Sequence, residues 1–554
     1  MKHLSGMDAT FFHVETPETP MHVGSLCLAT LPEGYAGDFY EDYKTQLGSR
    51  LHLAEVFERK LALMPFELSN PVWVDDDDVD LDYHVRRIIL SKPGTFQQLE
   101  QYVARLHSTL MDRSRPLWEI YVIDGLEDGQ VGIYSKVHHA AVDGQAGVAL
   151  AKALYDVSPE PRPIKPRREK RRSDTYQLGA AELAMAAVKN TAEQYMKMIT
   201  TLPSTWAALT SLSLPKLSDA LPNIGPNTDW GIAPRTPLNV SITNQRSYAA
   251  RSVSLADIKQ TAKRLNVTLN DVVLAACAQA LRQYLADDNA LPKAPLLAAV
   301  PVSLREAGNT EQNNQVSVML VSLATDIADP LERIRAINQS SVSSKEITGS
   351  LKAVIPTDYP SFGAPWLMSG LATLWGRSKI ADNLPPLANV TISNVPGPQV
   401  PLYMAGAKVN TYYPVSIPAH SMALNMTVQS YNGMLDYGLI ACRRAVPNIA
   451  ELADYLVAAH RELDELARLQ DGASAAPSPV AAPLPEPAKP VAAAPVVEAA
   501  KPAAAARRRA GASAAPSPVA APAAEAAKAA ASARSRPGPA RKIDISTAGG
   551  KRRR

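Results

Sequence analysis

The sequence QVGIYSKVHHAAVDGQAGVAL, residues 130–150, decides the fold of this chain. Within it, residues 131–137 place alternate side chains on opposite faces, and this period of two predicts a β-strand. His138 and His139 follow directly at the end of that strand. Because a strand is a rigid element, a side chain at its end can be fixed in place and still reach a cavity.

The residues after the histidine pair predict a turn followed by a helix. Asp143 lies four residues after His139, and Gly144 permits a tight backbone turn because it carries no Cβ. Residues 145–155 are rich in Ala, Val and Leu, which is typical of a helix. The pattern is therefore strand, histidine pair, turn and helix.

The chemistry of an adjacent histidine pair favours acid–base catalysis. An imidazole titrates near neutral pH, so His139 can take a proton from a hydroxyl group and return it later. The chain has no Gly-x-Ser-x-Gly elbow and no cysteine beside the pair, so there is no evident nucleophile to activate. This favours direct transfer to a bound acceptor. The alternative is two structural histidines at a strand end.

The motif HHAAVDG, residues 138–144, resembles the His-His-x-x-x-Asp-Gly motif of bacterial wax ester synthase/acyl-CoA:diacylglycerol acyltransferases. These belong to a superfamily of CoA-dependent acyltransferases that share His-x-x-x-Asp-Gly. The resemblance implies that His139 is the general base, that His138 orients it or shapes the pocket, and that Asp143 is structural. We expect Arg305 to pair with Asp143, because an unpaired buried carboxylate is costly.

Two further sequences are similar to signatures of the same family. One is Pro-Leu-Trp, upstream of the histidines, and the other is Ser-Asn-Val-Pro-Gly-Pro, in the second half of the chain. Proline restricts the backbone and tryptophan brings a large apolar area, so both sequences suit a supporting role. We expect structural support from Pro116, Trp118, Asn394, Pro396 and Gly397.

An Asn-Asp pair also matches the family. The resemblance implies that Asn270 lies near the transfer site, where it is a possible contributor to oxyanion stabilisation. It also makes Asp271 and Gly144 candidate substrate contacts. Asn270 and Asp271 equally fit the N-terminal cap of a helix that begins near residue 269, which explains them without a catalytic role.

The fold class expected is α/β, with two chloramphenicol-acetyltransferase-like domains implied by the resemblance, a long and partly helical linker, and a disordered C-terminal tail. The predicted boundaries are 1–157, 158–232, 233–471 and 472–554. The second range opens with a Pro-rich basic stretch that cannot bury a core. The basic residues of this stretch, within 167–172, are expected either to contact anionic lipid headgroups or to be solvated.

Charge separates the body from the tail. Residues 473–554, the tail, hold 14 Lys or Arg against 4 Asp or Glu. The net charge of the whole chain is only +3, so residues 1–472, the body, carry a net negative charge. The tail is rich in Ala and Pro and contains GASAAPSPVAAP twice, which predicts disorder. Its basic residues are suited to nucleic acid or to anionic lipid.

Composition also bears on the compartment and on metals. Cys27, Cys277 and Cys442 are odd in number and far apart, which favours a reducing cytoplasm over a disulfide framework or a zinc site. No segment predicts a transmembrane helix or a secretory signal. We expect a cytoplasmic protein, peripheral on the inner membrane face or on lipid inclusions. Residues 75–78, four consecutive aspartates, are expected in a solvated loop rather than at a metal.

The function implied by the resemblance is O-acyl transfer from fatty acyl-CoA, without a cofactor and without a covalent intermediate. The acceptor is diacylglycerol, which gives triacylglycerol, or a long-chain alcohol, which gives a wax ester, and the residues favour neither. Two alternatives stay open. One is another transferase of the superfamily, such as a condensation-type enzyme. The other is a non-enzymatic protein that associates with lipid inclusions or DNA through its basic tail.

Overall fold

The structure, a computed structural model, describes residues 2–63, 70–142, 144–165, 233–303, 316–352, 369–370, 374 and 379–474. Three of the sequence predictions fall outside these residues: the Asp143–Arg305 pair, most of the linker and nearly all of the tail. None of the helices within the described ranges is both long enough and apolar enough to span a bilayer.

The strands of the described chain form two six-stranded sheets and one small three-stranded sheet. The strands are β1 (Lys2–His3), β2 (His22–Thr30), β3 (Arg59–Ala62), β4 (Val72–Asp75), β5 (Val85–Ile89), β6 (Trp118–Asp124), β7 (Val131–His138), β8 (Arg246–Ser254), β9 (Leu297–Ser303), β10 (Val316–Ser322), β11 (Val390–Val395), β12 (Tyr403–Met404), β13 (Ala407–Val415), β14 (Leu424–Tyr431) and β15 (Met434–Cys442). The first sheet has the order β12-β13-β2-β7-β6-β5, the second β10-β9-β11-β14-β15-β8, and the small sheet β1-β4-β3.

Helices cover these sheets. They are α1 (Gly6–Val14), α2 (Phe39–Gly48), α3 (Glu55–Glu58), α4 (Leu81–His84), α5 (Phe96–His107), α6 (Gly144–Leu154), α7 (Leu255–Arg264), α8 (Leu269–Asp287), α9 (Pro330–Lys352) and α10 (Ile449–Ser474). The predicted strand at 131–137 is β7, and the predicted helix after Gly144 is α6. The mixed sheets and helices confirm the predicted α/β class.

Strand β7 is an inner strand of the first sheet and is buried on both faces. Apolar residues of α2 and α6 pack against one face, and residues of α5 pack against the other. Lys136 lies on the more polar side of the alternating pattern, yet it is fully buried and its Nζ lies 2.9 Å from the Glu119 carboxylate on β6. The alternation predicted the strand but not that its polar face is also buried. That face can be buried because the charge of Lys136 is compensated by Glu119 on the adjacent strand.

The first sheet is completed by chain from far along the sequence. Strand β13 pairs antiparallel with β2, with Val409 opposite Ala29 and Val415 opposite Gly24. A core cluster then joins the two large sheets, and it includes Tyr134 of β7 and Tyr248 of β8. The two halves are therefore packed through a shared apolar core as well as an exchanged strand.

The run of aspartates at 75–78 is exposed at Asp75, Asp77 and Asp78, as expected for a solvated loop. Asp75 ends strand β4 and pairs with Arg59 at 3.3 Å. Asp76 is buried and pairs with Lys60 at 3.3 Å. The expectation was wrong for Asp76, because the pairing of β4 with β3 brings Lys60 alongside its carboxylate.

Candidate active site

The histidine pair lies where β7 ends. His139 is the first residue of a short 3-10 turn, His139–Ala141. Its backbone N–H donates to the carbonyl oxygen of Met21 at 2.8 Å, and the N–H of His138 donates to that of Leu117 at 3.0 Å. Both acceptors belong to segments that lead into neighbouring strands, so the backbone of the pair is held from two sides.

The imidazole of His139 is half-buried beneath an aromatic ring of α1. The ring of Phe11 is stacked on it, with centroids 3.9 Å apart and planes 18° apart. The Nδ1 atom is buried and has no hydrogen-bond partner among the described residues. Burial lowers the pKa of His139 to about 4, its own backbone carbonyl opposes the shift, and the neighbouring His138 acts in the same direction as burial. His139 is therefore uncharged at neutral pH.

His138 closes the turn that carries His139. Its Nδ1 accepts a hydrogen bond from the N–H of Ala140 at 3.1 Å. A ring nitrogen that accepts carries no proton, so this hydrogen bond assigns the proton of the neutral ring to Nε2. That Nε2 lies 3.3 Å from Oε2 of Glu15, which is an ion-pair distance without the alignment of a hydrogen bond, and both side chains are almost fully buried.

Glu15, just after α1, is the residue at this site that sequence reasoning missed. Its Oε1 accepts from Nη2 and Nε of Arg113 at 2.9 and 3.2 Å, and its Oε2 accepts from the N–H of Met21 at 2.8 Å. Burial alone would raise the pKa of Glu15, but the contacts with His138, Arg113 and Met21 outweigh burial and lower it to about 2. Glu15 is therefore ionised.

Arg113 ties the end of α1 to this cluster. Its guanidinium carbon lies 4.0 Å from the ring centroid of Phe12, and its Nη2 also donates to the Phe12 carbonyl at 3.1 Å. The one sequence signal that points to Glu15 is a carboxylate directly after an apolar helix, since such a group needs a partner when it is buried. Its partner lies 98 residues away.

The two signatures of the second half meet in the structure. Asn394, on β11, donates from Nδ2 to Oδ1 of Asn270 at 3.4 Å. Asp271 is buried and caps α8, where its Oδ2 accepts from the N–H and Oγ1 of Thr268 and from Nδ2 of Asn338. Within the described ranges no hydrogen bond or ring contact joins Asn270 to His139, and the substrate contacts predicted for Asp271 and Gly144 stay predictions.

The other predicted supporting residues occupy structural positions. Trp118 lies opposite Val137 of β7, and its ring stacks on that of His84 with centroids 4.3 Å apart. The backbone N–H of Trp118 donates to the carbonyl oxygen of Pro116 at 2.9 Å. Gly397 approaches β14 so closely that an added Cβ would lie 2.2 Å from a backbone oxygen there. The exposed Pro396 precedes it.

Known structures with a similar fold give the class of the protein. A wax ester synthase/diacylglycerol acyltransferase from Marinobacter aquaeolei VT8 is 34% identical, with a TM-score of 0.60, over 84% of this chain and 100% of that one. The starter condensation domain of rhizomide synthetase shares the fold at 12% identity and a TM-score of 0.50, over 84% of this chain and 94% of that one. The fold is that of the chloramphenicol-acetyltransferase-like transferases.

Sequence comparison gives the family. Residues 4–273 match the wax ester synthase/diacylglycerol acyltransferase catalytic domain, and residues 312–464 match the WS/DGAT C-terminal domain. The chain belongs to the wax ester synthase/diacylglycerol acyltransferase family, and it is an O-acyltransferase.

Two relatives extend the match over most of the chain. A Mycobacterium tuberculosis protein named for diacylglycerol O-acyltransferase activity is 37% identical over 462 residues, 83% of this chain and 99% of that protein. The O-acyltransferase WSD of Acinetobacter baylyi is 35% identical over 469 residues, 82% of this chain and 95% of that protein. The resemblance predicted from the motifs is therefore confirmed, and a purely non-enzymatic role is set aside.

Proposed function

We propose that the protein transfers a fatty acyl group from acyl-CoA to the hydroxyl group of diacylglycerol or of a long-chain alcohol. The products are triacylglycerol or a wax ester, together with free CoA. The observation that carries this proposal is an uncharged, half-buried His139 at the end of an inner strand of an acyltransferase fold. We infer the two acceptors from the names of the similar proteins, which are a diacylglycerol O-acyltransferase and a wax ester synthase/diacylglycerol acyltransferase.

His139 is the general base of the proposed reaction. Because its Nδ1 is buried, Nε2 is the nitrogen that meets the substrate. It takes the hydroxyl proton as the acceptor oxygen forms a bond to the thioester carbon. The C–S bond then breaks, and the imidazolium returns the proton to the CoA thiolate. An imidazolium with a pKa of about 4 is a strong enough acid for that last step, since a thiol has a pKa near 8.5.

Asn270 is the proposed donor to the oxyanion. Its Oδ1 accepts from Asn394, so its Nδ2 is the group left to donate to the oxygen that becomes negatively charged. The family resemblance of the Asn-Asp pair supports a role for this residue at the transfer site, and the contact with Asn394 favours one orientation of its amide. Asp143 keeps the structural role expected for it.

The proposed reaction needs no bound cofactor, because acyl-CoA brings an activated acyl group. Both acceptors are lipids, so we expect the enzyme to act from the cytoplasm at a membrane or lipid-inclusion surface. The basic residues of 167–172 and of 473–554 would add attraction to anionic lipid or to nucleic acid.

Product analysis tests this proposal. Purified protein is given palmitoyl-CoA with equal amounts of diacylglycerol and hexadecanol, and esters and free CoA are quantified over time. We expect one ester molecule per CoA released, and no acyl adduct on the protein when the acceptor is omitted. Absence of both esters would refute the proposed function, and an acyl adduct would refute direct transfer. A chain that ends at residue 472 should keep turnover, whereas a role that depends on the tail would be lost.

A further inference from the structure

A chain of polar contacts runs from Arg113 through Glu15 to His138 and ends at the turn that carries His139. We infer that Glu15 and Arg113 are positioning residues of the acyl transfer. In this inference Glu15 holds the proton of His138 on Nε2, so that Nδ1 closes the His139 turn. The inference rests on the proposed role of His139 as the base.

The tautomer of His138 is the first step of the argument. A neutral imidazole has one N–H, and Nδ1 can accept the Ala140 N–H only when that proton is on Nε2. The anionic Oε2 of Glu15, 3.3 Å from Nε2, favours this tautomer. With the proton on Nδ1, two N–H groups would face each other and the turn after His138 would open.

The orientation of Glu15 is the second step. Arg113 donates to Oε1 from two nitrogens, and these charge-assisted hydrogen bonds hold that oxygen in place. The Met21 N–H binds Oε2, and the Met21 carbonyl accepts the N–H of His139 at 2.8 Å. Glu15 therefore reaches His139 by two routes, through the His138 ring and through the Met21 backbone.

Charge balance is the third step. A buried carboxylate without a compensating cation would leave an unbalanced charge beside the histidine pair, and such a charge is costly. Arg113 offsets the charge of Glu15, so the pair supplies an acceptor without a large negative field at the site. Arg113 is itself held by the ring and carbonyl of Phe12.

A buried ion pair can also be purely structural, and the chain offers a matched control. Glu100 of α5 is similarly buried, accepts from the N–H of Ala250 at 2.8 Å and pairs with Arg251 at 3.1 Å. None of its contacts among the described residues involves His138 or His139. Glu100→Gln therefore measures the cost of removing a buried carboxylate from an arginine, and Glu15→Gln measures that cost plus any effect on the histidines.

The test compares the two variants in turnover and in the His138 tautomer. We expect Glu15→Gln to lower kcat about 10–100-fold while KM for palmitoyl-CoA changes less than about threefold, because the base is misplaced and the substrate site is not. Glu100→Gln should keep kcat within about twofold of the native value. Its urea-unfolding midpoint should fall by about as much as that of Glu15→Gln. In ¹⁵N-histidine NMR, His138 should show the Nε2–H form in the native protein and a mixture in Glu15→Gln.

Two outcomes would overturn the inference. One is a Glu15→Gln protein with native kcat and an unchanged His138 spectrum. The other is an equal loss of kcat in Glu15→Gln and Glu100→Gln. Should Glu15→Gln fail to fold, Arg113→Lys keeps the charge but loses the paired contact, and it should lower kcat about 3–10-fold; native kcat in that variant would also overturn the inference. Full activity of His139→Ala would instead refute the proposed base, while the NMR spectra still test Glu15.

Discussion

Replacing Phe11 by Ala should raise the pKa of His139 and move the acid side of the kcat/KM profile to higher pH. The Phe11 ring covers one face of the imidazole at 3.9 Å. Burial is the largest cause that lowers the pKa of His139 from 6.5 to about 4. Without the ring, water reaches that face and the charged imidazolium is penalised less.

The size of the shift follows from the geometry. The lowering from 6.5 to about 4 corresponds to roughly 3.4 kcal/mol against the charged form. Phe11 covers one of the two faces of the ring, so we assign it a little under about half of this lowering, and the variant pKa rises by roughly one unit, to about 5. At pH 5 the native enzyme would then hold about 90% of its His139 in the base form and the variant about 50%.

The assay is kcat/KM for palmitoyl-CoA with hexadecanol, from pH 4.6 to 8, with ester measured directly. This ratio reports the pKa values of the free enzyme. Acid unfolding through Glu15 should not interfere. Its folded pKa of about 2 lies below its usual 4.5, so its stabilising contribution is present above 4.5 and is lost as pH falls towards 2.

Phe96→Ala is the control for Phe11→Ala. Phe96 is a part-buried aromatic whose ring packs against Tyr413, and none of its ring contacts in the described chain is with a histidine. It should leave the profile unchanged. A native profile that falls near pH 6.5, or a Phe11→Ala profile that matches the native one, would refute the reasoning from burial.

Three substitutions test the fold around the site, each by urea unfolding at pH 7. Gly397→Ala should cost about 1–3 kcal/mol, because its Cβ would lie 2.2 Å from the Ser430 carbonyl oxygen; no loss would mean that the turn packs less closely. Thr268→Ala removes the cap of α8 and should cost about 1 kcal/mol, whereas an unchanged midpoint would deny the cap. Lys136→Met leaves Glu119 buried without its lysine and should cost about 3–5 kcal/mol, and a gain in stability would contradict that pairing.

The local part of the site could be predicted from the sequence. The alternation before His138, the glycine after Asp143 and the Thr-x-x-Asp pattern at 268–271 each specify structure within a few residues. The structure has strand β7, helix α6 from Gly144 and the capped helix α8 at these places. Short-range patterns predict these elements because residues close in sequence determine the capping hydrogen bonds and the face on which each side chain lies.

The long-range part could not be predicted from local patterns. Alternation shows that residues 407–415 form a strand, but it does not show that this strand pairs with β2 rather than with the second sheet. Glu15 and Arg113 are 98 residues apart, and Asn270 and Asn394 are 124 apart. Nothing near either member of a pair indicates its partner, because tertiary packing alone brings them together.

The general-base role of His139 is most directly tested by the single-turnover rate of ester formation in His139→Ala. With palmitoyl-CoA and hexadecanol prebound at neutral pH, the rate should fall about 10²–10⁴-fold, the usual contribution of a positioned base, while palmitoyl-CoA still binds. Ester formation at a near-native rate in that variant would contradict the assignment.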